Sequence, residues 1–215
     1  MVSNADAPST YEAWYDTPRG HWIGATEYAL AERELAATRG ETLLDVGCGT
    51  GWFTRRFAAE GLAVTGLDPN PEWLAYARAH SGPSIRWTEG DAQSLPFPDN
   101  SFDCVVSVAA LCFVPDERRA VAEILRVAKR RFAIGWLNRH SLLYPQKRDS
   151  GAYRGARWHT ASEVRGFFAG LPVAHLRLSS AIFLPGGGPL AVSAERLLPA
   201  ALPLGALLIA AGDKA

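Results

Sequence analysis

Residues 43–51 are the part of the chain whose composition and spacing point most directly to chemistry. An apolar run there leads into the acid Asp45, and glycine then occupies every second position, at Gly47, Gly49 and Gly51. Glycine has no Cβ, so it can adopt positive φ and leave room for a ligand against the backbone. The residues that follow have helical character, and a helix N-terminus favours polar and negatively charged ligand groups. The pattern predicts a ligand site where a strand ends and a helix begins.

A second acid, Asp68, ends the apolar segment 63–68, which we predict to be a second buried strand. In doubly wound folds, an acid about 20 residues beyond a glycine loop, at the tip of the next strand, binds the ribose hydroxyls of a cofactor. The alternative is that Asp68 caps the helix predicted for residues 71–80. We favour ribose binding, and the two roles are compatible.

The glycine spacing distinguishes between two cofactors. Dinucleotide-binding proteins use G-x-G-x-x-G, whose last glycine seats the helix against the strand. This chain has G-x-G-x-G, and Trp52 stands at the position of that last glycine. The run closely resembles motif I of class I S-adenosylmethionine (SAM) methyltransferases, in which the loop wraps the amino-acid end of SAM. The resemblance implies cofactor contacts from Asp45, Gly47, Cys48, Gly49 and Gly51.

The resemblance to methyltransferases extends over about residues 41–136. In that family the acid matching Asp91 accepts a hydrogen bond from the adenine amine, and the next backbone N–H, here that of Ala92, meets a ring nitrogen. Residues 95–105 follow L-P-F-x-D-x-S-F-D-x-V, which is similar to the small-molecule branch that includes enzymes of ubiquinone and menaquinone biosynthesis. We also expect cofactor contacts from Pro69, Ser107 and Val108.

Strand and helix patterns alternate along the chain, which predicts an α/β fold with a parallel sheet covered on both faces. Strands are predicted at residues 42–46, 63–67, 85–89, 103–108, 130–136, 173–183 and 206–211. Helices are predicted at 25–38, at 71–80, from 115 onward and, after a capping box at 160–163, to about residue 170. The family resemblance implies a Rossmann-like, seven-stranded sheet in the order 3-2-1-4-5-7-6 with the last strand antiparallel. Ligands of such sheets bind beyond the carboxyl ends of the strands.

The methyl acceptor is expected above strands four and five, beside residues 109–114. Nucleic-acid amino-methyltransferases carry a D/N-P-P-Y/F/W motif there, and residues 107–113 contain no proline. A Pro-Cys nucleophile for cytosine C5 chemistry is also missing. The sequence therefore favours a small-molecule acceptor over nucleic acid.

Two further segments are candidates for covering the site. Residues 11–22 resemble the N-terminal lid of this branch, in which tyrosines such as Tyr11 and Tyr15 fold over SAM. They could equally staple the predicted helix 25–38 onto the sheet. The insert 137–158 is basic and aromatic, which would suit an anionic acceptor, or it could be a solvated surface.

Methyl transfer from a sulfonium mainly requires a nucleophile held in line with the methyl group, so a dedicated catalytic group need not exist. If the acceptor is a hydroxyl or an acidic carbon, a general base is useful. The weak candidates are His21, His140 and His159, and for each of them a purely structural role is favoured. No spacing in the chain predicts a metal site.

Composition indicates one domain of 215 residues with zero formal net charge, which gives no basis for recruiting nucleic acid or a membrane surface. We divide it into N-terminal lid and helices (1–40), cofactor-binding core (41–136), acceptor-side insert (137–160) and the end of the sheet (161–215). Apolar residues 197–211 are too short and proline-broken for a membrane span. The three cysteines lack metal spacing, as expected for free thiols in the cytoplasm.

The leading hypothesis is a cytoplasmic SAM-dependent methyltransferase that acts on a small molecule and releases S-adenosylhomocysteine (SAH). A non-catalytic SAM- or SAH-binding module remains an alternative, because the motifs mark the cofactor rather than the acceptor. A nicotinamide-dependent oxidoreductase is disfavoured by Trp52 and by the second acid, Asp91.

Overall fold

The computed structural model describes residues 7–215 and contains a seven-stranded sheet in the order β3-β2-β1-β4-β5-β7-β6. Strand β7 runs antiparallel to both of its neighbours, and the remaining pairs are parallel. The predicted fold class, strand order and antiparallel last strand are confirmed. The strands are β1 (Thr42–Val46), β2 (Ala63–Asp68), β3 (Arg86–Glu89), β4 (Phe102–Val108), β5 (Ala128–Leu137), β6 (Val173–Ala181) and β7 (Leu207–Lys214).

Helices lie on both faces of this sheet. They are α1 (Pro8–Trp14), α2 (Pro18–Leu35), α3 (Trp52–Ala59), α4 (Pro71–Ala79), α5 (Glu117–Val127), α6 (Tyr144–Lys147), α7 (Ala161–Phe167) and α8 (Pro189–Leu197). Short 3₁₀ turns occur at Leu111–Phe113 and Gly151–Tyr153. Among residues 7–215, no helix is both long and apolar enough to cross a membrane.

Side chains alternate between two cores, one on each face of the sheet. In β1, Leu43 belongs to the core under α2 and α3, and Leu44 belongs to the core under α5 and α7. Both leucines are completely buried. A strand that is buried on both faces reads as a continuous apolar run, which is why the first strand could be predicted from the sequence.

The helix predicted at 25–38 was misplaced, because α2 already begins at Pro18 and ends at Leu35. The Thr17 hydroxyl accepts a hydrogen bond from the Gly20 N–H at 3.0 Å, and proline at the first helical position supports this start. Gly20 is required by packing, since a Cβ there would lie 1.9 Å from the Trp14 carbonyl oxygen. Close packing therefore explains a glycine that is otherwise unfavourable inside a helix.

The C-terminal third also differs from expectation. Helix α8 was not predicted, α7 ends at Phe167 rather than near residue 170, and β7 extends three residues beyond 211. The longer strand follows from its position between β5 and β6, where Arg131 pairs with Asp213 and Val173 pairs with Lys214. The capping box at the start of α7 is confirmed.

Candidate functional site

A cavity of about 870 Å³ opens at the carboxyl ends of β1, β2 and β4. This volume lies near the upper end of the range for small-molecule sites, about 300–1,000 Å³. The segments after these strands form one side, and α1, α2 and residues 147–153 form the other. Ten of the predicted cofactor residues line it: Tyr11, Tyr15, Gly47, Cys48, Gly49, Asp68, Pro69, Asp91, Ala92 and Val108.

The glycine loop is fixed against β2 by its backbone. The N–H groups of Gly47 and Cys48 both donate to the Leu67 carbonyl oxygen, at 2.7 and 3.0 Å. Gly47 has φ of +75°, and a Cβ on it would lie 2.3 Å from the Cβ of Ala110. Only glycine therefore fits at position 47, where the loop passes close to the segment after β4.

Asp45 lies behind the loop and does not line the cavity. Its carboxylate is 2% exposed and accepts a hydrogen bond from the Thr54 hydroxyl at 2.6 Å. Burial raises the pKa of Asp45 to about 7, and the hydrogen bond from Thr54 partly offsets this rise. Asp45 thus joins the end of β1 to the first turn of α3. It supports the glycine loop from behind and does not face the cavity.

Two other predicted cofactor residues lie off the cavity wall. Gly51 is the N-cap of α3 with φ of +82°, and a Cβ there would lie 2.5 Å from the Trp87 ring. Ser107 is completely buried in β4, and its hydroxyl has no hydrogen-bond partner within the described part of the chain. Both residues shape the site from behind its surface.

Asp68 uses both carboxylate oxygens to organise the loops around it. Oδ2 accepts a hydrogen bond from the Gly49 N–H and Oδ1 accepts one from the Asn70 N–H, each at 2.9 Å. Burial raises the pKa of Asp68 above its ordinary value. Each oxygen retains a second lone pair for a ligand hydroxyl.

The capping alternative for Asp68 was wrong, because the N-cap of α4 is Asn70. The Asn70 side chain accepts hydrogen bonds from the N–H groups of Glu72 at 3.0 Å and Trp73 at 3.4 Å. Asp68 instead lies at the cavity wall and holds the glycine loop through the Gly49 N–H.

Asp91 comes shortly after β3 and lines the cavity. Its carboxylate accepts hydrogen bonds from the Gln93 backbone N–H at 2.9 Å and from the Gln93 side-chain amide at 3.0 Å. Ala92, which follows it, is buried. Gln93 also lines the cavity and was not singled out from the sequence.

The N-terminal segment covers the cavity through aromatic contacts. The rings of Tyr15 and Trp52 stack with centroids 4.3 Å apart, and the rings of Tyr11 and Trp73 lie 4.9 Å apart. Glu12 forms an ion pair with Arg55 on α3. Helix α1 is therefore anchored to both α3 and α4, which is compatible with a closed lid and with permanent packing.

The acceptor-side insert contributes fewer charges to the cavity than its composition indicated. The structure describes all five basic residues of the insert, and one of them, Lys147, lines the cavity. Arg139 is paired with Glu163 at 2.5 Å, and Arg157 is paired with Glu117 at 2.7 Å. These two pairs fasten the insert to α7 and α5, so two of the five basic side chains serve the fold.

The structure brings none of the three candidate histidines to the cavity wall. His21 and His140 are exposed on other surfaces. His159 Nε2 lies 2.9 Å from Oε1 of the buried Glu117, whose Oε2 accepts a hydrogen bond from the Trp136 indole at 2.8 Å. His159 therefore belongs to a buried polar network beneath the insert.

The sequence analysis missed an acid that does line the cavity, Glu27 on α2. Burial raises the pKa of Glu27 to about 8. Residues Arg19 and Ile23 precede it at intervals of four and line the same wall. This i, i+4, i+8 spacing marks one face of a helix and could have been noticed had α2 been placed correctly.

Comparison with known proteins agrees with this geometry. A family model described as a methyltransferase domain matches residues 44–132, the stretch that holds the glycine loop, Asp68 and Asp91. Residues 44–132 are a methyltransferase domain. The resemblance to class I SAM-dependent methyltransferases is thereby confirmed.

Relatives of this methyltransferase domain include proteins with and without a named activity. An uncharacterised protein of Mycobacterium tuberculosis is 36% identical over 173 residues, which is 75% of this chain and 56% of that protein. Demethylmenaquinone methyltransferase of Tropheryma whipplei is 42% identical over 113 residues, 51% of this chain and 44% of that enzyme. The chain thus spans about half the length of these relatives.

A solved structure from Thermotoga maritima shares the fold of nearly all of the described residues. It is described as a SAM-dependent methyltransferase and possible histamine N-methyltransferase. The TM-score is 0.75 with 22% sequence identity, and the alignment covers 96% of each chain. The likeness therefore extends beyond the methyltransferase domain to α1, α2 and the end of the sheet.

The methyltransferase domain presents a surface that fits the cofactor implied by the family. Its glycine loop leaves space that a Cβ at Gly49 would reduce, since that Cβ would lie 3.2 Å from the Trp73 ring. Asp68 and Asp91 both line this cavity, and their carboxylates have acceptor lone pairs suited to hydroxyl and amine donors. Among residues 7–215, no group of three or more metal-ligating side chains was found.

Proposed function

We propose that this protein transfers a methyl group from SAM to a small-molecule acceptor and releases SAH. The observation that carries the proposal is the convergence of the glycine loop, Asp68 and Asp91 on one cavity in the methyltransferase domain. The sheet topology brings these three segments to one edge, and a single ligand that needs all three of them would use that placement.

Within this proposal, each cofactor-wall residue has a specific role. Asp68 accepts from the ribose hydroxyls, and Asp91 with the N–H of Ala92 binds the adenine edge. The glycine loop lies against the amino-acid end of SAM, with Pro69 and Val108 beside it. Tyr11 and Tyr15 close the cavity above.

SAM supplies an electrophilic methyl group whose transfer leaves a neutral thioether. The chain's task is to hold a nucleophile in line with that methyl group and to exclude water, and such positioning can supply much of the barrier reduction. The stacked Tyr15 and Trp52 rings form an apolar cover suited to excluding water.

The acceptor class is proposed from the shape of the site. Residues of the segment 109–114 line the cavity, and the segment lacks the proline motif that nucleic-acid amino-methyltransferases carry there. Two of the similar proteins named above are described as a demethylmenaquinone methyltransferase and a possible histamine N-methyltransferase, and both of these acceptors are small molecules. A cytoplasmic location belongs to the same proposal and is supported by the three cysteines, which are buried free thiols.

We also propose the division of the chain into residues 1–40, 41–136, 137–160 and 161–215 as functional segments. The first and third segments supply the cavity wall opposite the cofactor residues through α1, α2 and residues 147–153. The fourth completes the sheet beside β5.

Calorimetry with SAH and NADH tests the cofactor assignment. We expect SAH to bind and NADH not to bind, and the reverse result would support an oxidoreductase instead. An acceptor screen with methyl-labelled SAM then separates an enzyme from a non-catalytic SAM-binding module. Label transfer to a small molecule supports the proposal, and SAH binding without transfer to any member of a broad screen would contradict it.

A further inference from the structure

The cavity wall opposite the cofactor residues is formed in part by one face of α2. Arg19, Ile23 and Glu27 follow one another at intervals of four residues and all line the cavity. Glu27 is the acid of this face. None of the predicted cofactor residues lies on α2, so this face is available to the acceptor.

The Glu27 carboxylate has no hydrogen-bond or ion-pair partner among residues 7–215, although it lines a largely apolar cavity. Burial alone raises its pKa to about 8. An acid without a partner in an apolar site costs stability, because its charged form is poorly solvated there. A ligand that satisfies the carboxylate would offset this cost.

Aromatic rings surround the same part of the cavity. Tyr15 packs against α2 one turn before Glu27, since a Cβ on Gly24 would lie 2.8 Å from the Tyr15 ring. Tyr11 and Tyr153 also line the cavity. Burial raises the pKa of all three phenols, and the negative charge of Glu27 adds to this rise in each. A carboxylate beside several aromatic faces is a typical binding site for an ammonium group.

The cationic side chains of the cavity do not neutralise Glu27. Arg19 lies eight residues earlier on α2, about 12 Å along the helix axis. Its Nε donates to the Pro185 carbonyl oxygen at 2.7 Å. Lys147 approaches from the insert and forms no ion pair with Glu27.

Resting on the proposed methyl transfer, we propose that the acceptor is a small amine and that Glu27 binds its ammonium group and removes a proton from it. Glu27 would then be the polar contact that selects amines over alcohols of the same shape. The role differs from that of the candidate histidines, none of which reaches the cavity.

The proposed step balances in atoms and charge. The substrate ammonium gives one proton to the Glu27 carboxylate, which leaves a neutral amine with a free electron pair. That pair forms the new C–N bond as the C–S bond of SAM breaks, and the electrons of the C–S bond remain on sulfur in SAH. The product is a methylated ammonium ion, and the proton on Glu27 passes to solvent.

The test uses Glu27→Gln, with Glu32→Gln as a matched control on the exposed side of α2. SAH affinity is measured first for all three proteins by calorimetry and should be unchanged. Absence of SAH binding to the wild type would overturn the proposed function. The role of Glu27 is tested separately, by comparing the affinities for amines and alcohols.

Two matched ligand pairs are then titrated into SAH-saturated protein: 2-phenylethylamine with 2-phenylethanol, and butylamine with butanol. We expect the wild type and Glu32→Gln to bind at least one amine 10-fold or more tightly than its alcohol. Glu27→Gln should reduce this ratio to within a factor of two of unity. A wild-type ratio near one for both pairs, or a ratio that Glu27→Gln leaves unchanged, would overturn the inference.

The pH dependence provides a readout that a merely structural role would not affect. Amine affinity of the wild type should rise at least 10-fold from pH 6 to pH 8, as the carboxyl ionises while the amine stays protonated. The other titratable or charged groups that share the cavity are Tyr11, Tyr15, Arg19, Cys48, Asp68, Asp91, Lys147 and Tyr153. These remain in Glu27→Gln, so a rise that persists in that variant would assign the effect to them and contradict the role of Glu27.

Discussion

Replacing Asp68 by alanine separates ligand binding from support of the fold, because the structure shows what the carboxylate holds without a ligand. It accepts two backbone hydrogen bonds, from Gly49 and Asn70. Hydrogen bonds to a charged group typically make a net contribution of about 1.5–3 kcal/mol each. Burial raises the pKa of Asp68, so part of that gain is already spent on desolvating the charge.

The expected loss of folding stability in Asp68→Ala is therefore small, about 1 kcal/mol. The expected loss of SAH affinity is larger, about 2–4 kcal/mol, which is roughly 30- to 1,000-fold in Kd. Two contributions add to it: the ribose hydroxyls lose their charged acceptor, and the Gly49 N–H is no longer fixed in the orientation that shapes the loop.

Calorimetric titration with SAH and urea unfolding measure the two quantities on the same samples. Glu72→Ala, at an exposed position in the first turn of α4, is the matched control and should change neither by more than a few tenths of a kcal/mol. Unaltered SAH affinity in Asp68→Ala would refute the assignment of ribose binding. A stability loss as large as the affinity loss would show instead that Asp68 acts only by holding the loop.

Four further outcomes are expected. Burial raises the pKa of Glu27 from 4.5 to about 8, so the buried carboxyl does not destabilise the fold below pH 4.5, destabilises it increasingly up to pH 8, and does so by a constant amount above pH 8. Glu27→Gln should therefore stabilise the ligand-free protein by about 1–3 kcal/mol at pH 8 and not at pH 4, as measured by thermal unfolding. This is well below the limit of about 5 kcal/mol set by the pKa difference, because the carboxyl faces a solvent-accessible cavity. Gly47→Ala should abolish SAH binding, whereas Gly40→Ala, also at positive φ but with open space around it, should retain it. Tyr15→Ala should speed amide exchange across α1 and weaken SAH binding, and equal exchange rates in variant and wild type would show that the stacking does not anchor α1. His159→Asn should lower stability and leave methyl transfer unchanged, and a loss of turnover at full stability would restore His159 as a catalytic candidate.

The cofactor side of the site could be predicted from the sequence because its signals are local. The glycine run and Asp68 lie at the carboxyl ends of the buried strands β1 and β2, and Asp91 comes just after the partly exposed edge strand β3. Parallel strands bring these ends to one edge of the sheet. Asp45 shows where this approach stops. It follows the same kind of apolar run, yet its carboxylate points behind the loop to Thr54, and only the three-dimensional structure distinguishes the two directions.

The missed elements lacked the periodic burial on which prediction depends. Helix α8 carries Leu190 and Leu197 at about four-fifths exposure, so its apolar residues do not mark a buried face. The N-terminal half of α2 contains Gly20 and Gly24, which weaken a helical pattern. Both glycines are explained by close packing, against Trp14 and Tyr15 respectively, which is a tertiary contact with no local signature.

The division between what was and was not predictable follows the division of the cavity itself. The family model covers residues 44–132, which include most of the cofactor wall, while Arg19, Glu27 and Tyr153 lie outside that range. A shared cofactor requires a shared core, so the core carries recognisable motifs. An acceptor that differs between enzymes must be bound by segments that are free to differ, and here these are α1, α2 and residues 147–153. Substitutions in α2 and in residues 147–153 should therefore change which molecule is methylated more than they change SAM binding, and Glu27 is the first position at which to test this.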